Sequence, residues 1–348
     1  MKLIDIYNEI SSCKDRWLYY DLECNDKMKL EIEGAWEDKC KANEFIQMYF
    51  KLGGKAVFNV KGIGYFISLD ERNMHTVSLY ILGIYFFDHL YNSKKSDLSR
   101  DEFLYLWYMA CLYHDIGYAI ENSEDYEYKT LEDFIKQIDL KEKEDIFKKC
   151  DNQKLCNKKL CSGYYNYIME TRNHIDHGIV GGILLYKKLI ESYYKAKAKV
   201  KAKADNSNPN DSFHTEDGLY FSPNLFPYYA IAAEAIIRHN MWYLNENNKA
   251  DYEKYEIEEL CADNKVKASD DIILLLLCLG DIIEPLKKFS YDCNVLNEID
   301  IEINNNVLEI KADADSAKYV EYLKEIESLK EFVDLSIERR KQSVIIKF

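Results

Sequence analysis

From Met74 onward, apolar residues recur at three- and four-residue spacing for about two hundred residues, the period of helices that bury one face. Breakers are scarce. With 4 prolines and 13 glycines in 348 residues, a sandwich or barrel built on many tight turns is disfavoured. The periodicity predicts helices over His75–Tyr91, Asp101–Tyr113, Leu131–Lys149, His177–Ala202, Leu225–His239 and Asp270–Leu286. Residues 1–50 carry the same period and stop near Gly53–Gly54. Ala56–Leu69 then alternates apolar and polar residues, as a short β segment does.

Two segments break the helical pattern. Lys195–Gly218 opens as KAKAKVKAKAD, a solvated helix end, and passes into NSNPNDSFHTEDG, whose composition buries no core. A mobile surface loop is expected over 203–218, with His214 an ordinary loop histidine. After Cys293, Ile299, Ile301 and Ile303 alternate with acidic or polar residues, Asn304–Asn306 supplies a turn, and Val307, Leu308 and Ile310 return. That is the signature of a β-hairpin. An amphipathic helix over Ala317–Arg340 and a strand in the final SVIIKF complete an expected ββαβ unit. The chain therefore divides into a helical domain at 1–295, with its core at 70–290, and a small α+β appendage at 296–348. The appendage either packs on the body or provides a contact for a homo-oligomer.

A net charge of −15 repels phosphate backbones and anionic lipid, so neither extended nucleic acid nor membrane is an expected partner. A bound divalent metal can still reverse the sign inside one cleft and admit a small anion. The first residues lack a signal-peptide pattern, and the longest apolar run, Ile272–Gly280, is too short to span a bilayer. The expectation is a soluble, cytoplasmic chain whose 10 cysteines stay reduced. Cys150, Cys156 and Cys161 lie close together, but their spacing does not match a zinc knuckle and no histidine falls within the run.

Five of the 7 histidines fall at or beside predicted helix ends or inward faces. His114–Asp115 sits in LYHDIGYAI, where an apolar helix ends at a glycine. Neighbouring residues on a helix point about 100° apart, so both reach one centre only off the helix end, or between two metals. His75 opens an apolar helix, and His239 ends the apolar run AIAAEAIIRH. His177 precedes Gly178 and Gly181–Gly182, which permit close backbone approach. Asp281 follows ILLLLCLG inside an otherwise apolar helix, where a carboxylate is expensive to bury unless paired or metal-bound. Neutral imidazoles mixed with carboxylates suit Fe, Mn, Co, Ni or Zn better than calcium.

The order H…HD…H…H…D resembles the HD-domain superfamily of metal-dependent phosphohydrolases over residues 70–290, on His75, His114–Asp115, His177, His239 and Asp281. The minimal H…HD…D signature is carried by His75, His114–Asp115 and Asp281, while His177 and His239 resemble the binuclear branch. That branch includes cyclic-dinucleotide phosphodiesterases of the HD-GYP type. They carry HDIGK where this chain has HDIGY, with Tyr118 in place of the lysine, and the GYP motif is absent here. Both departures count against cyclic-di-GMP as the substrate.

The resemblance implies a helical HD-domain bundle holding one or two divalent transition metal ions. It implies hydrolysis of a phosphate ester, of a nucleotide or another small molecule, by an activated water. Asp115 then orients the water, and Tyr118 can donate a hydrogen bond to phosphate. His174 either supports a ligand, faces substrate, or is a polar residue near a helix start. Arg172, Arg238, and Lys287 or Lys288 are candidate phosphate-binding cations, although such residues are more often solvated surface charges. Two other functions share the pattern. One is a di-iron oxygenase of the myo-inositol-oxygenase type. The other is a non-catalytic nucleotide-sensing HD module, against which an intact ligand set argues.

Overall fold

Two helices are apolar on every side: Arg72–Leu90, buried without a break from Met74 to Phe87, and Ile272–Ile283, buried from Ile272 to Gly280. A helix with no polar face has to be enclosed. In this computed structural model the other elements wrap these two. The structure describes residues 1–18, 31–52, 71–91, 98–121, 129–140, 145–148, 157–203, 213–214, 220–221, 225–241, 249–260, 265–269, 271–312 and 316–348.

In chain order the helices are α1 (Leu3–Ser11), α2 (Lys14–Trp17), α3 (Lys39–Leu52), α4 (Arg72–Leu90), α5 (Arg100–Tyr113) and α6 (Tyr118–Glu121). Next come α7 (Leu131–Gln137), α8 (Lys158–Arg172), α9 (His177–Lys203), α10 (Leu225–Arg238), α11 (Lys249–Lys254), α12 (Ile272–Ile283) and α13 (Ala317–Ser328). The central α4 packs against α1, α3, α5 and α12, and α10 packs against α5, α9 and α12. The chain is mostly helical, with a small C-terminal sheet. No helix among the described residues is long and apolar enough to cross a membrane.

Helix ends differ from the periodicity where backbone chemistry intervenes. The helix expected over Leu131–Lys149 stops at Gln137, because Asp139 turns into the left-handed region (φ 54) and Leu140 N–H bonds back to Ile135 O. Only a 3-10 turn at Ile146–Lys148 follows among the described residues. The helix expected over Asp270–Leu286 begins at Ile272, with Asp271 capping Leu274 N–H at 2.9 Å. It ends at Ile283 because Pro285 holds the preceding Glu284 out of the helical region, at ψ 118. The expected β segment Ala56–Leu69 lies outside the described residues, as do Cys150 and Cys156. In the loop expected over 203–218, Phe213–His214 (β1) pairs with Tyr220–Phe221 (β2). The residues between lie outside the described set.

The C-terminal unit holds one more strand than the expected ββαβ. Strands β3 (Ile299–Asn304), β4 (Val307–Ala312), β5 (Ser336–Arg339) and β6 (Ser343–Lys347) form an antiparallel sheet in the order β3-β4-β6-β5. The helix expected over Ala317–Arg340 ends at Ser328, and Ser336–Arg339 instead pairs with Val344–Lys347. Partner strands override local helical period in this way, since strand preference is mostly a matter of what lies alongside.

The unit is packed on the body. Its apolar residues Ile299, Ile301, Leu308, Ile310 and Ile346 belong to the same core cluster as α4 and α12, and the Tyr322 hydroxyl donates to Ile283 O at 2.6 Å. The N-terminus joins it from the other end of the chain: Ile301 N–H donates to Met1 O at 2.9 Å, and Lys2 pairs with Asp300 at 2.8 Å.

Gly182 measures how closely α9 and α10 approach. A Cβ there would lie 2.6 Å from Ala233 O and 2.6 Å from Ile237 Cγ1. In an open helix Gly→Ala gains up to about 1 kcal/mol, but here backbone must shift. Gly182→Ala is expected to lower stability by about 1–3 kcal/mol, read as a lower urea midpoint at unchanged slope. An unchanged or raised midpoint would show that the approach is not tight.

Candidate metal centre

Five helix ends meet at one place. His75 lies in the first turn of α4, His114 follows the last residue of α5, and His177 opens α9. His239 follows the last residue of α10, and Asp281 sits in the last turn of α12. Among the described residues the donor atoms fall into two groups, His75–His114–Asp281 and Asp115–His177–His239, each within 4.8 Å. Neighbouring donors on a tetrahedral transition-metal ion stand about 3.4 Å apart, so each group would contract around one ion.

The imidazoles form a chain, with ring centroids 5.4 Å apart for His75–His114, 5.5 Å for His114–His239 and 5.4 Å for His177–His239. Asp115 lies between the groups: its carboxylate oxygens are 3.2 Å from His114 Nε2, 3.9 Å from His177 Nε2 and 4.0 Å from His75 Nε2. The adjacent pair His114–Asp115 thus serves both groups from just beyond a helix end.

Three of the imidazoles are aimed by a partner on their far side. A helix leaves its last carbonyls without intrahelical donors. His114 Nδ1 donates to Cys111 O at 2.6 Å, and His239 Nδ1 donates to Ile236 O at 2.6 Å, the same step of three residues at two helix ends. Since a carbonyl only accepts, each ring keeps its proton on Nδ1 and presents Nε2. His75 Nδ1 donates to the buried Glu284 at 2.6 Å. Asp176 caps α9 through Ile179 N–H at 2.8 Å and accepts from Asn240 at 2.9 Å, tying the start of α9 to the end of α10. Histidine metal ligands are oriented in this manner.

On the inner side the polar atoms converge without well-directed hydrogen bonds. His75 Nε2, His114 Nε2, His239 Nε2, both Asp115 oxygens and Asp281 Oδ1 are buried and lack such partners among the described residues. His75 Nε2 comes within 3.0 Å of Asp281 Oδ1, but off the hydrogen-bond line. Buried polar groups are otherwise paired almost without exception. The orphaned atoms, with their mix of imidazole and carboxylate, fit a transition metal.

The electrostatics agree for Asp115, Asp281 and His239. Burial alone would raise the Asp115 and Asp281 pKa values, but the neighbouring His114 and His75 imidazoles and the Lys287 charge outweigh it and hold both well below the usual carboxylate range. Burial, with His177 and His114 nearby, pushes His239 down to about 3, so it is a neutral donor. His75 runs the other way: burial would lower it, but the Glu284 charge and contacts with Asp281 and Glu284 raise it to about 9, so a metal on Nε2 would displace a proton. The Asp115 and Asp281 side chains are 10% and 20% exposed, although both Asp115 oxygens and Asp281 Oδ1 are themselves buried.

Of the other residues singled out by sequence, Lys287 Nζ lies 3.7 Å from Asp281 Oδ1, and Tyr118 stacks on His177 at 3.8 Å. Lys288 instead pairs with Glu325 of α13. Arg238 is buried and bonds Glu234 at 3.2 Å, one turn away on α10. Arg172 is exposed at the end of α8, and His174 bonds the neighbouring Ile175 O at 2.9 Å; neither belongs to the donor groups.

Sequence reasoning missed Glu284, Asp176 and Arg72. The first was readable as a second carboxylate in the apolar run IIEP, and the second as the residue preceding a helix start. Arg72 carried no signal; its guanidinium sits 3.7 Å over the Tyr118 ring. Gly117 is required by contact, since a Cβ there would lie 1.9 Å from His177 O.

The chain matches no protein-family model, no curated protein and no solved structure. Elemental analysis of protein purified without chelator is expected to find about two transition-metal ions per chain, falling to about one in His177→Ala or His239→Ala. Absence of metal even after reconstitution would remove the centre.

Proposed function

We propose that this protein is a metal-dependent phosphohydrolase of the HD-domain type, acting on a small phosphate ester such as a nucleotide. The observation that carries the reading is the pairing of the two donor groups with two cations at their edge. Lys287 Nζ lies 3.7 Å from Asp281 and 5.5 Å from the Tyr118 ring centroid, whose face Arg72 covers. A divalent metal on these residues would supply Lewis acidity, lowering the pKa of water towards neutrality and drawing charge from phosphoryl oxygens. His75, His114 and Asp281 would hold one ion, and Asp115, His177 and His239 the other.

The chain's own part is positioning and charge. Asp115, whose carboxylate lies between the two groups, is placed to orient the attacking water. Lys287 stays protonated: burial would lower its pKa, but the Asp115 and Asp281 carboxylates outweigh that and raise it. It is half-buried and can meet the phosphoryl oxygens as a charge-assisted donor. Arg72 and Tyr118 form a stacked wall against His177, which limits how a substrate enters. The two cations favour an anionic substrate, and so hydrolysis over the oxygenase chemistry that a similar ligand set supports on a neutral one.

Metal-replete protein is expected to release phosphate from a panel of nucleotides and aryl phosphates, and Asp115→Ala to abolish this while helix content stays nearly intact. Lys287→Met should keep its metal and raise KM roughly ten- to hundredfold, the loss of a charge-assisted contact of about 1.5–3 kcal/mol. Full activity in Asp115→Ala would sink the assignment.

A further inference from the structure

The far side of His75 opens onto a chain of buried partners that leads to the N-terminal helix. Glu284 Oε2 accepts Nδ1–H of His75 at 2.6 Å, while Oε1 accepts the Ser78 hydroxyl at 2.6 Å and Leu286 N–H at 3.0 Å. Ser78 has one hydroxyl proton, and it is committed to Glu284. In the hydrogen bond between Tyr7 and Ser78, Tyr7 is therefore the donor. Every member is buried: Tyr7, Ser78 and His75 fully, and Glu284 to within 2%. Burial and the nearby Glu284 charge both raise the Tyr7 pKa, so the phenol keeps the proton it donates.

Each proton in this chain has one direction, from Tyr7 to Ser78, from Ser78 to Glu284, and from His75 to Glu284. Both Glu284 oxygens are thereby fixed, and the His75 ring can turn neither away from Asp281 nor into its other tautomer. Tyr7 is itself immobilised, because α1 packs on α4 and Trp36 meets the Tyr7 ring edge-on at 5.5 Å. The residues before α1 are bonded to β3 through Met1 and Ile301.

We propose that Tyr7, on a helix that carries no ligand, is a positioning residue for the His75 half of the metal centre, acting through Ser78 and Glu284. It selectively sets the affinity for the ion on His75, His114 and Asp281. The second group is supported separately, by Asp176, Asn240 and the Ile236 carbonyl. The proposal rests on the metal reading of the site and gives the N-terminal helix a function beyond packing.

The test is cobalt(II) titration of the full-length chain against a competing chelator, for wild type, Tyr7→Phe and Ser78→Ala. His75→Ala and His177→Ala identify which ion belongs to which half. Tyr7→Phe keeps the ring and removes only the hydroxyl. It is expected to weaken the His75-dependent ion by about ten- to hundredfold while the His177-dependent ion stays within about twofold. Ser78→Ala should show the same selective loss. A general loosening of the fold would weaken both ions together, so selectivity separates positioning from packing. Wild-type affinity for both ions in Tyr7→Phe, or equal loss of both, would overturn the proposal and leave the metal reading standing. Wild type that binds no cobalt would overturn both.

Discussion

Asp115 and Asp281 place two ionised carboxylates at the inner ends of apolar helices, and much of the surrounding structure answers that burial. An unpaired buried charge costs several kcal/mol even after relaxation. Here His75, His114 and Lys287 gather around the pair and keep both carboxylates charged, far below their usual pKa range. The same low-dielectric setting would strengthen any interaction between these oxygens and a cation. A cluster that would destabilise an ordinary core is, at the junction of five helix ends, a place prepared for positive charge.

Helix ends suit this role because they carry backbone groups that the helix itself cannot satisfy. The last turns of α5 and α10 each supply a carbonyl to the imidazole that follows them, so one hydrogen bond both finishes the helix and fixes the tautomer of a ligand. Asp176 does the corresponding work where α9 begins. Pro285 contributes by ending α12 just after Asp281, which frees Glu284 from the helix and lets its carboxylate reach back to His75. Folding and ligand orientation are thus one set of interactions, and close packing of α9 onto the His114–Gly117 turn holds the two halves together.

A chain with net charge −15 nevertheless concentrates two cations, Arg72 and Lys287, beside this cluster. Those two positive charges offset the two ionised carboxylates of the cluster, Asp115 and Asp281. The C-terminal unit, whose sheet shares the main core, presses α13 against α12 and takes the N-terminal residues as a partner of β3. Elements from both ends of the chain therefore brace the His75 side of the centre.

How much of this was legible can be read from single residues. Helical period is local, set by neighbours three and four apart, so α4, α5, α9, α10 and α12 could be placed within a few residues from the sequence. Asp281 stood out for a related reason, as a charge inside an apolar run, and the histidines stood out by their order. Strand β5 was not legible, because its partner β6 decides its conformation. Nor was the role of Tyr7, 71 residues from Ser78, and although Glu284 showed as a carboxylate in an apolar run, its pairing with His75 across 209 residues did not. The amino-acid order alone determined a helical chain with six plausible ligands and a small β-containing C-terminus. Only the tertiary structure decided that the ligands divide into two groups around Asp115, which cations face them, and what holds each ring in place. Those outcomes depend on where helix ends meet in space, and no short-range period encodes that.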